Sequence, residues 1–213
     1  MSLNWKEIDL LLEELPLEGS HLQELRQPDY RNLYLYFYRP GGGFWLRVCL
    51  ENRSVRLHRT SYPPKKPKKP QRFAEFLKKR INGGRVTEVE HVNQDRVIRL
   101  TVERAGERTE LYIRLWGGSA NMVAVDDTGT ILDAFFRKPK RGIASGLPYE
   151  LPPVQEPPPR EIRQWHGSSF NDYLDHEFRQ AEKSDEVGAL LAALDKWWER
   201  ESSALRRRRE SFF

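Results

Sequence analysis

The side chains in this sequence best equipped for chemistry are cationic, and they crowd into one stretch. Between Arg53 and Arg80 stand eleven basic residues (Arg53, Arg56, Arg59, Lys65, Lys66, Lys68, Lys69, Arg72, Lys78, Lys79 and Arg80), opposed only by Glu75. That stretch carries +10, and because the whole chain is +5, the remainder sums to −5. A basic block on an otherwise acidic body points to polyanions, since Lys and Arg that neutralise phosphates release condensed counterions. The nine cations from Arg59 to Arg80 are therefore the candidate contact patch, and a solvated, solubilising loop is the alternative. Nucleophilic and metal chemistry find no such concentration. Cys49 is the single cysteine, which excludes an internal disulfide and a cysteine-based zinc site. The five histidines, at 21, 58, 91, 166 and 176, are scattered, and each is read as structural or superficial. No cofactor and no metal are expected, and no catalytic residue.

The elements that must position these side chains can be read from periodicity. Asn4 can cap a helix holding Trp5, Ile8, Leu11, Leu12 and Leu15, which Pro16 and Gly19 end. From about His21 the period becomes two. Strands are predicted over 32–39, 44–50, 54–58, 85–92, 96–104, 108–116, 121–126 and 130–136, with Gly- and Asp-bearing turns between the later ones. Tyr62 to Pro70 holds four prolines and reads as a basic loop. A short helix follows over 71–80, with Phe73, Phe76 and Leu77 inward. The fold class is α+β, built on antiparallel sheet and ending near Lys140. A Pro-rich linker is expected over 141–167. Beyond it, Phe170, Tyr173, Leu174 and Phe178 mark one helix. A longer one from about Glu186 carries Val187, Leu190, Leu191, Leu194, Trp197, Trp198 and Leu205 on one side. Such a stripe wants a partner: core packing, a coiled-coil arm, or self-association through 186–213. No apolar run approaches 18 residues and the N-terminus lacks a signal-peptide core, so a reduced, cytoplasmic chain without a membrane span is expected.

Four stretches together resemble the NFACT family. His91 to Leu100 is similar to its Asp-Arg motif, here Asp95-Arg96 at the start of a strand. Leu115 to Leu132 resembles its strand-Gly-x-x-x-Asn-strand-Asp-x-x-Gly block, and Gly146 to Pro153 its closing Gly-x-x-Tyr-x-x-Pro-Pro signature. Ile8-Asp9-Leu10 sits where the family carries an aspartate. The resemblance implies an antiparallel β-sandwich with flanking helices and a C-terminal helical arm, related to the N-terminal domain of MutM-type DNA glycosylases. It does not imply their reaction: Ser2 stands where they expose a proline amine, and four zinc-binding cysteines are missing. It implies binding instead, to the large ribosomal subunit with peptidyl-tRNA and to a charged tRNA, alanyl-tRNA in bacteria, for template-free tailing of stalled nascent chains. Asp9, Asp95 and Arg96 match positions tied to tRNA recognition. An arginine can fork onto a phosphate or stack on a base while an aspartate orients it. Alternatively, Asp95 and Arg96 form a structural pair pinning the turn.

The chain departs from the family by moving from Pro153 through a short link to the segment leading into the coiled coil. The helix-hairpin-helix module is thus expected to be missing, and a piece cut from a longer protein is expected, its Met-Ser-Leu start partly vector-derived. Tailing by these residues alone is not expected. Two competing classes are a fibronectin-binding surface adhesin, the family's historical label, and a general RNA- or DNA-binding domain on a degenerate glycosylase fold.

Overall fold

In the computed structural model, residues 3–151, 153 and 158–210 are described, with side chains to Ala204. The chain divides into two compact units, residues 1–173 and 174–213. The first unit opens with helix α1, Trp5–Glu13. Asn4 starts it as a reciprocal cap: its side chain accepts from the Glu7 amide at 3.1 Å, and Glu7 accepts from the Asn4 amide at 3.0 Å. Ile8 and Leu11, one turn apart, are completely buried.

Nine strands follow among the described residues: β1 His21–Arg26, β2 Asn32–Arg39, β3 Gly42–Cys49, β4 Arg56–Thr60, β5 Arg85–His91, β6 Val97–Arg104, β7 Glu107–Arg114, β8 Asn121–Val125 and β9 Ile131–Ala134. Helix α2, Arg72–Ile81, lies between β4 and β5. All pairings are antiparallel, and the strands form one sheet in the order β4-β3-β2-β1-β5-β6-β7-β8-β9. The α+β class built on antiparallel sheet is as expected, and all nine strands belong to one hydrogen-bonded sheet. The join is narrow: a single register pair, His21 with Arg85, flanked by bonds such as Leu22 N to Gly84 O at 2.9 Å. Gly84 permits it, since a Cβ there would lie 2.7 Å from Val102 Cγ1 and 2.9 Å from the Ile81 carbonyl. Strand β1 was not among the predicted strands. A register shift between Leu22 and Glu24 breaks its alternation, so Leu22 and Leu25 both point inward at a spacing of three.

One sheet face is apolar. It presents Leu33, Leu35 and Phe37 of β2 and Leu46 and Val48 of β3, then Ile98, Leu100 and Val102 of β6 and Leu111 and Ile113 of β7. Helix α2 packs on β1, β6 and β9, with Phe73, Leu77 and Ile81 buried. Each such leucine stabilises the fold by about 1.5–3 kcal/mol.

Within 141–167, expected as a Pro-rich linker, the described residues Pro148, Tyr149, Pro158 and Arg163 are bonded to other parts of the first unit. Thr130 bridges to Pro148, and the Tyr149 amide donates to Gly129 at 2.8 Å. The Tyr149 ring centroid lies 4.4 Å from that of Tyr112. Further on, Arg163 Nε donates to Glu7 at 2.7 Å, and Trp5 Nε1 donates to the Pro158 carbonyl at 3.0 Å. Proline removes a donor but keeps its carbonyl, so a Pro-rich strap can still be held.

Helix α3, Phe170–Glu210, is one continuous run of 41 residues where two helices were expected. The residues between the expected pair, Arg179 to Glu186, are mostly good helix formers. Val187, Leu190, Leu191, Leu194, Trp197 and Trp198 are all more than half exposed, so the apolar stripe stays uncovered among the described residues. Leu205 and 206–213 fall outside the described side chains. No described helix is long and apolar enough to cross a membrane.

Candidate nucleic-acid interface

The residues matched to tRNA recognition meet around a histidine. Strand β5 ends at His91, and the chain then makes a single tight helical turn over Val92–Gln94. Val92 anchors this turn in a small apolar cluster with Val97, Tyr112, Val123 and Ile143. Asn93 and Gln94 both take left-handed backbone conformations, with φ of 54° and 50°. A non-glycine residue held there costs of the order of 1–3 kcal/mol, and such strain concentrates at functional sites. The turn closes through Asp95 N to Val92 O at 3.1 Å, and Asp95 Oδ1 accepts from the Arg96 amide at 2.7 Å. Asp95 and Arg96 are half-buried, Asn93 and Gln94 exposed.

His91 lies beneath. Its Nδ1 is 2.5 Å from Asp9 Oδ1, and its Nε2 contacts the backbone carbonyl of Asp95. The imidazole is 9% exposed, whereas the Asp9 carboxylate is 44% exposed. A carbonyl only accepts, so Nε2 must carry hydrogen. The imidazole thus bridges the Asp9 carboxyl group and the Asp95 carbonyl through its two ring nitrogens. Spacing alone suggested a mere surface or structural histidine. The signal for more was proximity to the Asp-Arg motif, four residues ahead of Asp95, but its aspartate partner is 82 positions away. The Asp95 carboxylate binds the next backbone amide rather than the Arg96 side chain. That guanidinium is engaged by no carboxylate among the described residues.

Helix α1 is fixed at both ends. Glu7, 2% exposed, takes Arg163 on both carboxylate oxygens at 2.7 Å. Burial works against the Glu7 charge, but hydrogen bonds from Arg163 and Asn4 outweigh it and hold the carboxyl below the ordinary glutamate range. At the other end, Glu14 accepts from the Phe170 and Asn171 amides at 2.6 and 3.0 Å.

The basic patch divides. Arg59 pairs with Asp172 at 2.7 Å, Lys66 with Glu24 at 3.4 Å, Lys78 with Glu75 at 2.6 Å and Arg80 with Glu107 at 2.6 Å. Arg72 bridges to Asp133, whose side chain is 4% exposed, and donates to the Ala134 carbonyl at 2.7 Å. Lys65, Lys68, Lys69 and Lys79 are exposed and meet no carboxylate among the described residues. The proline loop between them is docked on β1, where Arg26 donates to the Pro64 carbonyl at 2.6 Å and stacks 4.5 Å from the Trp45 ring.

On strands β5 to β7 lies an opposite arrangement. Arg99 is held by Glu88 at 2.8 Å, Glu90 at 2.7 Å and Glu110 at 3.8 Å. The Tyr112 hydroxyl donates to Glu110 at 2.7 Å, and burial followed by that carboxylate pushes it up to about 12. No group of three His, Cys, Asp or Glu among the described residues could hold a metal ion.

Comparison with known proteins completes the description. The Rqc2 homolog RqcH of Bacillus subtilis is 24% identical over 149 residues, 65% of this chain and 26% of that protein. The archaeal Rqc2 homolog aRqcH of Methanocaldococcus jannaschii is 30% identical over 125 residues, 58% of this chain and 18% of that protein. The chain thus spans about a quarter or less of these curated relatives. The N-terminal domain of the fibronectin-binding protein PavA of Streptococcus pneumoniae superposes with a TM-score of 0.65 at 23% identity, covering 73% of this chain and 63% of that one. A fibrinogen binding protein of Staphylococcus aureus gives 0.63 at 22% identity, covering 73% of this chain and 58% of that one. At these identities the likeness is one of fold. The family model for the NFACT N-terminal and middle domains matches residues 8–210, and the chain belongs to that family.

Proposed function

We propose that this chain is the tRNA-binding module of a cytoplasmic ribosome quality-control factor, one that engages the large ribosomal subunit with its peptidyl-tRNA and supports template-free tailing with alanyl-tRNA. A MutM-type ancestry of the fold belongs to the same reading, without that enzyme's chemistry. The observation that carries the proposal is the junction at His91, which ties Asp9 to the Asp95–Arg96 turn and leaves Arg96 without a carboxylate partner among the described residues. An arginine so placed can bond a phosphate or lie on a base plane. Asp9, its side chain 44% exposed, can accept from a base amino group or a 2′-hydroxyl. Family membership and RqcH similarity supply the biological setting.

The test is a tRNA mobility shift at rising salt, against a uridine-only oligonucleotide of equal length as the non-tRNA control. Steep weakening with salt and a preference for tRNA are expected. Arg96→Ala should abolish the preference while leaving the unfolding midpoint nearly unchanged, and Asp9→Ala should abolish it with a lower midpoint, because the nearly buried His91 ring loses its carboxyl partner. Binding that ignores salt, or a preference that survives both substitutions, sinks the reading.

A further inference from the structure

A second cationic surface lies next to the Asp95–Arg96 turn, built from residues distant in sequence from the basic block. At this end of the sheet the strands line up rung by rung. Leu115 N donates to Arg96 O at 2.8 Å, Val97 pairs with Arg114, and Arg114 pairs with Asn121. The Asn121 side chain then clamps Phe136, with both hydrogen bonds at 2.9 Å. The chain therefore delivers Arg137-Lys138-Pro139-Lys140-Arg141 to the strand ends where Arg96 and Arg114 already sit.

The corner is constructed rather than loose. Lys138 N donates to Ile143 O at 2.8 Å and Arg141 N donates to Lys138 O at 2.8 Å, folding 139–141 into a single helical turn. Gly142 closes it at φ 69°, a left-handed position that suits glycine. Ile143 is buried in the same apolar cluster that holds Val92. Arg114 lies 4.8 Å from the Trp116 ring, and Lys138 5.8 Å from the Phe136 ring. These two stacks fix two cations over aromatic faces at the rim.

We infer that Arg114, Lys138 and Arg141 form a binding site for the phosphodiester backbone of RNA, at the end of the sheet that also carries the Asp95–Arg96 turn. Arg114, Lys138, Lys140 and Arg141 pair with no carboxylate among the described residues; Arg137 is bound to Asp133 at 2.9 Å. Burial, then the positive neighbours Arg141 and Arg114, push the Lys138 ammonium below the usual lysine range. Like charges assembled without counterions repel one another, and a bound phosphate relieves that repulsion. This site rests on the reading that the chain binds RNA, and it adds residues which that reading did not contain.

The discriminating experiment pairs a binding measurement with a readout on the free protein. A uridine-only 20-nucleotide RNA is titrated into the wild type and into Lys138→Gln with Arg141→Gln across a range of salt. The double variant should bind about tenfold more weakly, and its log-log salt slope should be shallower by about 1.4, about 0.7 for each cation removed. Its unfolding midpoint should stay level or rise, because repulsion has been removed. By NMR, the Lys138 ammonium should titrate below the usual lysine range in the free protein and move up when the oligonucleotide saturates. Unchanged affinity and slope, or a Lys138 titration indifferent to RNA, overturns the site. So does a wild type that leaves the oligonucleotide unbound, or phosphatidylglycerol vesicles binding through these residues when RNA does not. A wild type that shows no preference for tRNA yet binds the uridine probe through this corner would defeat the tRNA reading alone.

Discussion

Two basic stretches of this chain differ in what they do with their charge. The block from Arg53 to Arg80 carries the larger excess, yet five of its nine candidate contact residues already bind carboxylates, drawn from Glu24, Glu75, Glu107, Asp133 and Asp172. The run from Arg137 to Arg141 is shorter, but among the described residues only Arg137 is spent that way. The lesson is that a polyanion responds to charge that is presented, and net charge along a sequence does not report it. Exposed ion pairs of about 0–1 kcal/mol can be exchanged for phosphate, whereas a pair on a buried carboxylate cannot.

Arg72 gives the sharpest test of that division, with the largest effect. Its substitution by alanine removes a partner of the buried Asp133 and a donor to the Ala134 carbonyl. Loss of a sole partner costs roughly 3–5 kcal/mol. Here Arg137 remains, so Arg72→Ala should destabilise by about 2 kcal/mol in chemical denaturation. The salt slope for RNA should stay as it was, because this arginine belongs to the fold. A shallower slope with unchanged stability would erase the distinction between the two stretches.

How far the sequence disclosed this arrangement depends on the range of the interactions. Local signals were legible: the Asn4–Glu7 cap that starts α1, the alternation of Leu33, Leu35 and Phe37 that makes β2, and the glycines after α2. Strand β1 was obscured because its bulge spoils the period. The docking of Ile143, Tyr149 and Arg163 was obscured because the prolines around them signal extended chain, while their partners lie elsewhere in the sequence. At the candidate site, the motif residues could be named individually. Nothing in spacing could place His91 between Asp9 and Asp95, because the contact to Asp9 spans 82 residues. The same limit hid the second cationic corner, whose members come together only through the pairing of β6 with β7, β7 with β8, and the Asn121 clamp.

The exposed half of the larger block can be tested directly. Lys65, Lys68 and Lys69 lie on the proline loop, exposed and without carboxylate partners among the described residues. Replacing all three with glutamine should leave stability within about 0.5 kcal/mol, as for other surface changes. If the loop lies along RNA, the salt slope should fall by about 2, from about 0.7 per lysine, with a loss of affinity of roughly tenfold. A slope unaltered by this triple substitution, but lowered by Lys138→Gln with Arg141→Gln, would assign the interface to the corner alone and leave the loop as a solubilising element.

The smallest expected effect concerns how that loop is held. Glu24, with a side chain 29% exposed, takes Arg26 at 3.0 Å and Lys66 at 3.4 Å, and so joins the loop to β1. The Arg26 hydrogen bond is the main cause holding its carboxyl below the ordinary glutamate range; burial opposes it, and Lys66 adds to the lowering. A carboxyl whose folded value is depressed contributes stability that is fully present above the unfolded value, about 4.3. That contribution is lost as pH falls through the lower folded value. The stability difference between the wild type and Glu24→Gln should therefore be constant from about pH 6 to 8 and below about 1 kcal/mol, given the partial exposure. It should shrink toward zero as acid passes through the folded carboxyl's own titration. Urea melts at a series of pH values measure it. A difference that widens in acid would mean that Glu24 is strained by its partners rather than held by them, and that the loop is anchored through Arg26 and Pro64 alone.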